Sequence, residues 1–84
     1  MGWKVEEYKI EDIRFWRVLY NGKLTFMINR CPKKSFDIAL YGPDASITKI
    51  YNHSMMKSHK IILDFVNKHN IYDETLMYIL FKIF

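Results

Sequence analysis

Three histidines, one cysteine and a few adjacent carboxylates are the side chains here with chemical potential, and their spacing argues against each use in turn. His53 and His59 stand six residues apart and His59 and His69 ten apart. A helical pair of metal ligands sits four apart, so that both imidazoles project to one side. His59 and His69 fall beside the apolar arc of an expected helix, where packing accounts for them, and no metal site is expected. Cys31 is the sole cysteine. To act as a nucleophile it would need a histidine brought near it in space, and no local helix amino terminus or basic pocket is evident to generate the thiolate. Glu6-Glu7 and Glu11-Asp12 lie near strand ends, and Asp73-Glu74 suits a helix start, where carboxylates favour the dipole. The glycines are scattered at positions 2, 22 and 42, which leaves no phosphate-cradling loop. The expectation is a protein that is not an enzyme and uses no cofactor.

The elements that would position any site are clearer. Asn21-Gly22 joins two apolar-rich runs, Ile13 to Arg30, and Asn-Gly is the strongest short hairpin signal because both central residues of a type I′ turn need positive φ. A two-residue loop in an uninterrupted ladder sets Tyr20 opposite Lys23, Leu19 opposite Leu24, Val18 opposite Thr25, Arg17 opposite Phe26, Trp16 opposite Met27 and Phe15 opposite Ile28. Side chains alternate across a strand. One face then carries Ile13, Phe15, Leu19, Leu24, Phe26 and Ile28, and is expected to be the core face. The other carries Arg14, Trp16, Val18, Tyr20, Lys23 and Met27 and is expected to be open. Arg17 is the misfit on the core face, to be explained by an edge position with its head in water or by a bulge that shifts the register.

Residues Trp3 to Ile10 read as a first strand. Cys31-Pro32-Lys33-Lys34 reads as a loop, Ser35 to Tyr41 as a fourth strand with Phe36, Ile38 and Leu40 on one side, and Gly42-Pro43-Asp44 as a turn. Ser46 to Tyr51 suits either a strand or a helix, and a short fifth strand is expected. From Met55 to His69 the period is helical, with Ile62, Phe65 and Val66 on the apolar arc. Asn70 is a left-handed stop, and Asp73 caps a last helix from Glu74 to Phe84 that is apolar over most of its circumference. Such a helix must be buried on more than one side, and it is expected to lie between the sheet and the preceding helix. The alternative makes part of it a surface for a homodimer. The fold class is therefore α+β, one domain over residues 1–84: an antiparallel meander-like sheet of four or five strands over 1–51, then a helical pair over 54–84 packed on one face.

An 84-residue chain that is half hydrophobic has a globular composition. Its formal charge is +4. Between Glu11 and Lys34 six basic residues face two acidic ones, so the excess lies on the hairpin and the loop after it. A lone cysteine gives no sign of an oxidising compartment. The first residues lack a signal peptide's apolar run, position 6 is Glu where myristoylation wants Ser or Thr, and no run of about 18 apolar residues is present to span a bilayer. A cytoplasmic address and no membrane partner are expected.

For function the residues point to binding. Trp16, Val18, Tyr20 and Met27 rimmed by Arg14 and Lys23 would have the composition favoured at protein interfaces. The first expectation is a small non-enzymatic protein that binds and occludes or regulates a protein partner. Composition rich in Lys, Ile, Tyr and Asn suggests an inhibitor from a phage or mobile element aimed at a host protein such as a nuclease. On that view Trp16→Ala with Tyr20→Ala abolishes capture and leaves the fold intact. The second expectation is a nucleic-acid-binding module in which aromatics stack bases while Arg30, Lys33 and Lys34 meet phosphates. A helix-turn-helix is not expected, since the second helix offers almost no polar side chains to base edges.

Overall fold

The computed structural model describes residues 2–84. Five strands run consecutively, β1 Trp3–Ile10, β2 Ile13–Tyr20, β3 Lys23–Arg30, β4 Phe36–Tyr41 and β5 Ile47–His53, followed by α1 Met55–Lys68 and α2 Glu74–Ile83. Each strand pairs antiparallel with the next, so the sheet is a plain meander in the order β1-β2-β3-β4-β5. The α+β architecture read from the sequence is the one observed. The ambiguous segment before the helices is a strand, and it extends to His53.

The hairpin turn forms as its residues dictate, with φ 51° at Asn21 and 80° at Gly22. It sets Tyr20 opposite Lys23 and Leu19 opposite Leu24, as expected, but the next pair is Val18 with Phe26, and then Arg17 with Met27 and Trp16 with Ile28. Thr25 is skipped. It is the extra residue of a β-bulge, with its hydroxyl donating to the Lys23 carbonyl at 3.1 Å, and it moves all of β2 beyond Leu19 by one position relative to β3.

A shift of one exchanges the faces of a strand. Trp16 and Val18, expected on the open side, are core residues at 3% and 0% exposure. Ile13, Phe15 and Leu19, expected in the core, lie on the other side, and Ile13 is exposed. Phe26, Ile28, Phe36, Ile38 and Leu40 are buried as expected. The physical reason is Arg17. The uninterrupted register places its guanidinium in the middle of the core row, whereas the bulged register fills that row with Trp16 and Val18 and lets Arg17 reach water. The first strand adds to the same face: Trp3 lies opposite Tyr20 and Val5 opposite Val18, with the Trp3 and Tyr20 ring centroids 4.9 Å apart.

Both helices cover this face. Ser54 caps α1 by accepting from the Lys57 amide at 3.3 Å, and Ser58, Ile62 and Val66 are buried. Asn70, at φ 57°, ends the helix. Asp73 caps α2 by accepting from the Leu76 amide at 3.0 Å, and Leu76, Ile79, Leu80 and Ile83 join the core cluster. The connection is pinned by the Trp3 indole, which donates to the Ile71 carbonyl at 3.0 Å. The expected central position of α2 is not what forms. α1 packs on β4 and α2 on β1, side by side over one sheet face. The outer half of α2 is therefore open, with Tyr78 and Phe81 exposed. Among the described residues no helix is long and apolar enough to cross a membrane.

Candidate interaction surfaces

The face of the sheet away from the helices combines the β2 residues that the bulge turns outward with the outward-facing residues of the other four strands. Its register rows can be followed across the strands. Tyr8, Phe15, Asn29 and Asp37 form one row, and Glu6, Arg17, Met27, Ala39 and Lys49 the next. Tyr8 stacks on Phe15 with centroids 5.1 Å apart and planes 18° from parallel. Arg17 Nη1 lies 3.3 Å from Glu6 Oε1, a partly exposed pair of the kind worth about 0–1 kcal/mol. The Tyr41 hydroxyl donates to Met27 Sδ at 3.4 Å. Tyr51, exposed on β5, closes a shallow depression of about 250 Å³ that Met27, Ala39, Tyr41 and Lys49 also line.

Asp37 anchors the far edge of this face. Its Oδ1 accepts from the Asn52 amide at 2.9 Å, where Phe36 opposite His53 and Ile38 opposite Ile50 leave Tyr51 and Asn52 facing Asp37 alone. Asn52 takes φ 59°, a left-handed conformation that Asn tolerates. The other Asp37 oxygen lies 3.7 Å from Cys31 Sγ. Burial first, and then the Asp37 charge, push the Cys31 thiol above its ordinary pKa, the opposite of what activates a nucleophile.

The six hairpin residues expected to form one exposed patch do not come together. Trp16 and Val18 are core, and Met27 lies on the opposite side of the sheet. Arg14 is exposed, paired with Glu7 and with its guanidinium carbon 5.4 Å from the Trp16 ring centroid. Tyr20 is half-buried and Lys23 is exposed at the turn. Arg30 lies directly opposite Arg14, which lies opposite Lys9, so three cations stand in one row across β1, β2 and β3. Lys33 and Lys34 are exposed in the adjoining turn, which the Cys31 amide closes onto the Ser35 carbonyl at 2.9 Å. Among the described residues no group of three or more His, Cys, Asp or Glu is arranged to hold a metal ion.

The sequence reading missed Tyr8, Phe15, Arg17, Tyr41, Lys49 and Tyr51 as one surface. The one signal in the sequence is Arg17, whose charge points to the odd-numbered side of β2 as the wet one. A second surface lies on the helix side. Met55, Met56, Tyr72, Met77, Phe81 and Phe84 border an apolar groove of about 510 Å³ between α1 and α2.

No family model matches the chain, and neither a curated protein nor a solved structure matches it.

Proposed function

We propose that this protein is a small non-enzymatic interaction module that binds a protein partner through the open sheet face and occludes or regulates it. The observation that carries the reading is the uncovered face itself. Aromatic and Met side chains spread over β1 to β5, interleaved with Arg17 and Lys49, have the composition enriched at protein interfaces. Tyr and Arg are also the residue types that most often dominate binding energy. Five paired strands fix the backbone beneath them, so little conformational entropy is lost when a partner covers them. The Lys-, Ile-, Tyr- and Asn-rich composition suits the small inhibitors of phages and mobile elements, and on that class-level ground the partner we propose is a host protein such as a nuclease.

Affinity capture from host lysate, with and without nuclease treatment, tests this. The wild type retains a stoichiometric protein after digestion, and Arg17→Ala with Tyr51→Ala loses it while thermal unfolding stays cooperative. Retention by the folded double variant refutes the assignment of the face.

A second reading, direct nucleic-acid binding, is favoured by one observation: the row of Lys9, Arg14 and Arg30 beside Lys33 and Lys34. Like charges directly opposite one another destabilise a sheet; Glu7 pairs with Arg14 in the middle of the row, and a phosphate backbone over it would relieve the repulsion that this pair leaves at Lys9 and Arg30. Binding of this kind weakens steeply with salt as counterions are released. Absence of binding at low salt removes it.

A further inference from the structure

We propose that the helix side of the molecule is occupied by a second copy of this chain, in a two-fold dimer formed by antiparallel pairing of α2 with its counterpart. The proposal concerns the surface opposite the sheet face and stands independently of the partner bound there.

The area is sufficient. Phe81 is 73% and Met56 81% exposed, and Met55, Tyr72, Met77 and Tyr78 are exposed beside them. With about 200 Å² for a fully exposed side chain of this size, the six present about 700 Å² per copy. Covering all of it on both copies would bury about 1,400 Å², an upper bound that falls within the range of about 1,200–2,000 Å² typical of specific interfaces. An exposed apolar surface of this extent on so small a molecule marks a contact site.

The charges are self-complementary. Glu74, Tyr78 and Lys82 are successive i, i+4 neighbours on α2, so they form one row on its outer side. Among the described residues neither Glu74 nor Lys82 makes a salt bridge within the chain. A two-fold axis near Tyr78 sets Glu74 against the second copy's Lys82, and the same contact is made again with the roles exchanged, which is what an isologous interface requires. Antiparallel helices also oppose their dipoles favourably. The same operation carries Phe81 toward the second copy's Met77, at the mouth of the groove between α1 and α2. Ring and groove thus lie on one face of one molecule, as a two-fold contact demands. The two sheet faces then point away from each other, and the dimer engages its partner at two sites, with avidity wherever the partner is itself multivalent.

Sedimentation equilibrium of the purified protein between about 1 μM and 1 mM, the span of weak specific association, reads the result. The wild type is expected to dimerise within this span, and Phe81→Glu to raise the dissociation constant about 30-fold or more, the size of a hot-spot loss. Because Phe81 is exposed, the variant is expected to fold, as circular dichroism will show; Tyr78→Glu serves as a second probe. Glu74→Lys and Lys82→Glu alone should each weaken the dimer about tenfold, since two exposed pairs turn repulsive. An equimolar mixture of the two should recover wild-type affinity, because each copy then offers the charge the other lacks. A wild type that stays monomeric throughout overturns the proposal, as does a dimer that Phe81→Glu leaves intact or a mixture that fails to recover. Partner capture by a monomeric Phe81→Glu variant shows that the sheet-face reading stands or falls separately.

Discussion

Phe15 and Trp16 are neighbours in sequence and lie on opposite faces of the sheet, so substituting each by alanine measures which register the hairpin adopts. Trp16 is 3% exposed. Burying a ring system of about 200 Å² at about 25 cal/mol per Å² contributes on the order of 5 kcal/mol. Truncations of this kind cost about 3–5 kcal/mol once the residual cavity is included. Phe15 is half-buried on the open face and stacked on Tyr8. Its loss removes a stacking contribution of about 0.5–1.5 kcal/mol and part of an already wet area. At about 0.05–0.15 kcal/mol per residue a domain of this size has roughly 4–12 kcal/mol of total stability, so Trp16→Ala removes from about a quarter to all of it whereas Phe15→Ala leaves the chain folded. Urea denaturation followed by circular dichroism gives both values, provided the slope with denaturant is unchanged. The uninterrupted hairpin register demands the reverse order. A Phe15→Ala cost equal to or above that of Trp16→Ala refutes the bulge at Thr25 and the placement of the open face with it.

Other outcomes follow from single contacts. Asp73→Ala removes the cap on α2 and is expected to cost about 1 kcal/mol, a fall of about 4–8 °C in melting temperature by calorimetry. Cys31 should react with iodoacetamide more slowly than a free thiol at mildly alkaline pH, because burial and the Asp37 carboxylate favour its protonated form. Asp37→Asn, which keeps an oxygen to accept from Asn52, should accelerate the reaction only in part, since burial, the largest single cause, remains. For stability the sign is fixed: a thiol whose folded-state pKa is raised contributes fully below the pH at which the unfolded thiol ionises, and the contribution is lost as pH rises through the folded-state value. A urea midpoint that falls in this alkaline range for the wild type and less for Cys31→Ala is the expected result.

The elements were legible because each rests on local chemistry. Asn21-Gly22 can hardly do anything but turn, Asp73 supplies the oxygen that the first amides of its helix need, and Phe36, Ile38 and Leu40 alternate without interruption. What the sequence did not display was the one residue that interrupts the ladder. Thr25 is a favourable strand residue and carries no turn signal, so nothing local distinguishes a bulge there from continued pairing. Its consequence is global, because the register beyond it decides whether Phe15 or Trp16 faces the helices. Arg17 was the clue, and it was ambiguous: a long side chain at a strand edge can keep its head in water, so a misplaced Arg alone does not demand a bulge. The pairing with β1, which adds Trp3 and Val5 to the row of Tyr20, Val18 and Trp16, settles the choice through contacts that no hairpin-level pattern contains. The position of α2 was hidden for a similar reason. Its apolar circumference demanded cover on more than one side, but a single chain supplies only the sheet and an adjacent helix.

These two departures have one physical root. A chain of this length buries only roughly 60–65% of its unfolded surface, and the five strands and two helices here cannot cover all their apolar sides at once. Two helices protect one sheet face, which leaves Phe15, Leu19, Met27 and Tyr41 on the other and Met56, Tyr78 and Phe81 on the outside of the helical layer. The bulge decides how the unavoidable exposure is divided. Without it, the core row would hold Arg17, while Trp16 would stand in water. With it, the largest ring of the hairpin is enclosed and the exposed side receives smaller apolar groups among charges, a mixture that stays hydrated alone and still gains when covered. Apolar groups thus remain exposed on both broad sides of the molecule, one rich in aromatic side chains, the other grooved and bordered by a helix that carries Glu74 and Lys82 at its two ends.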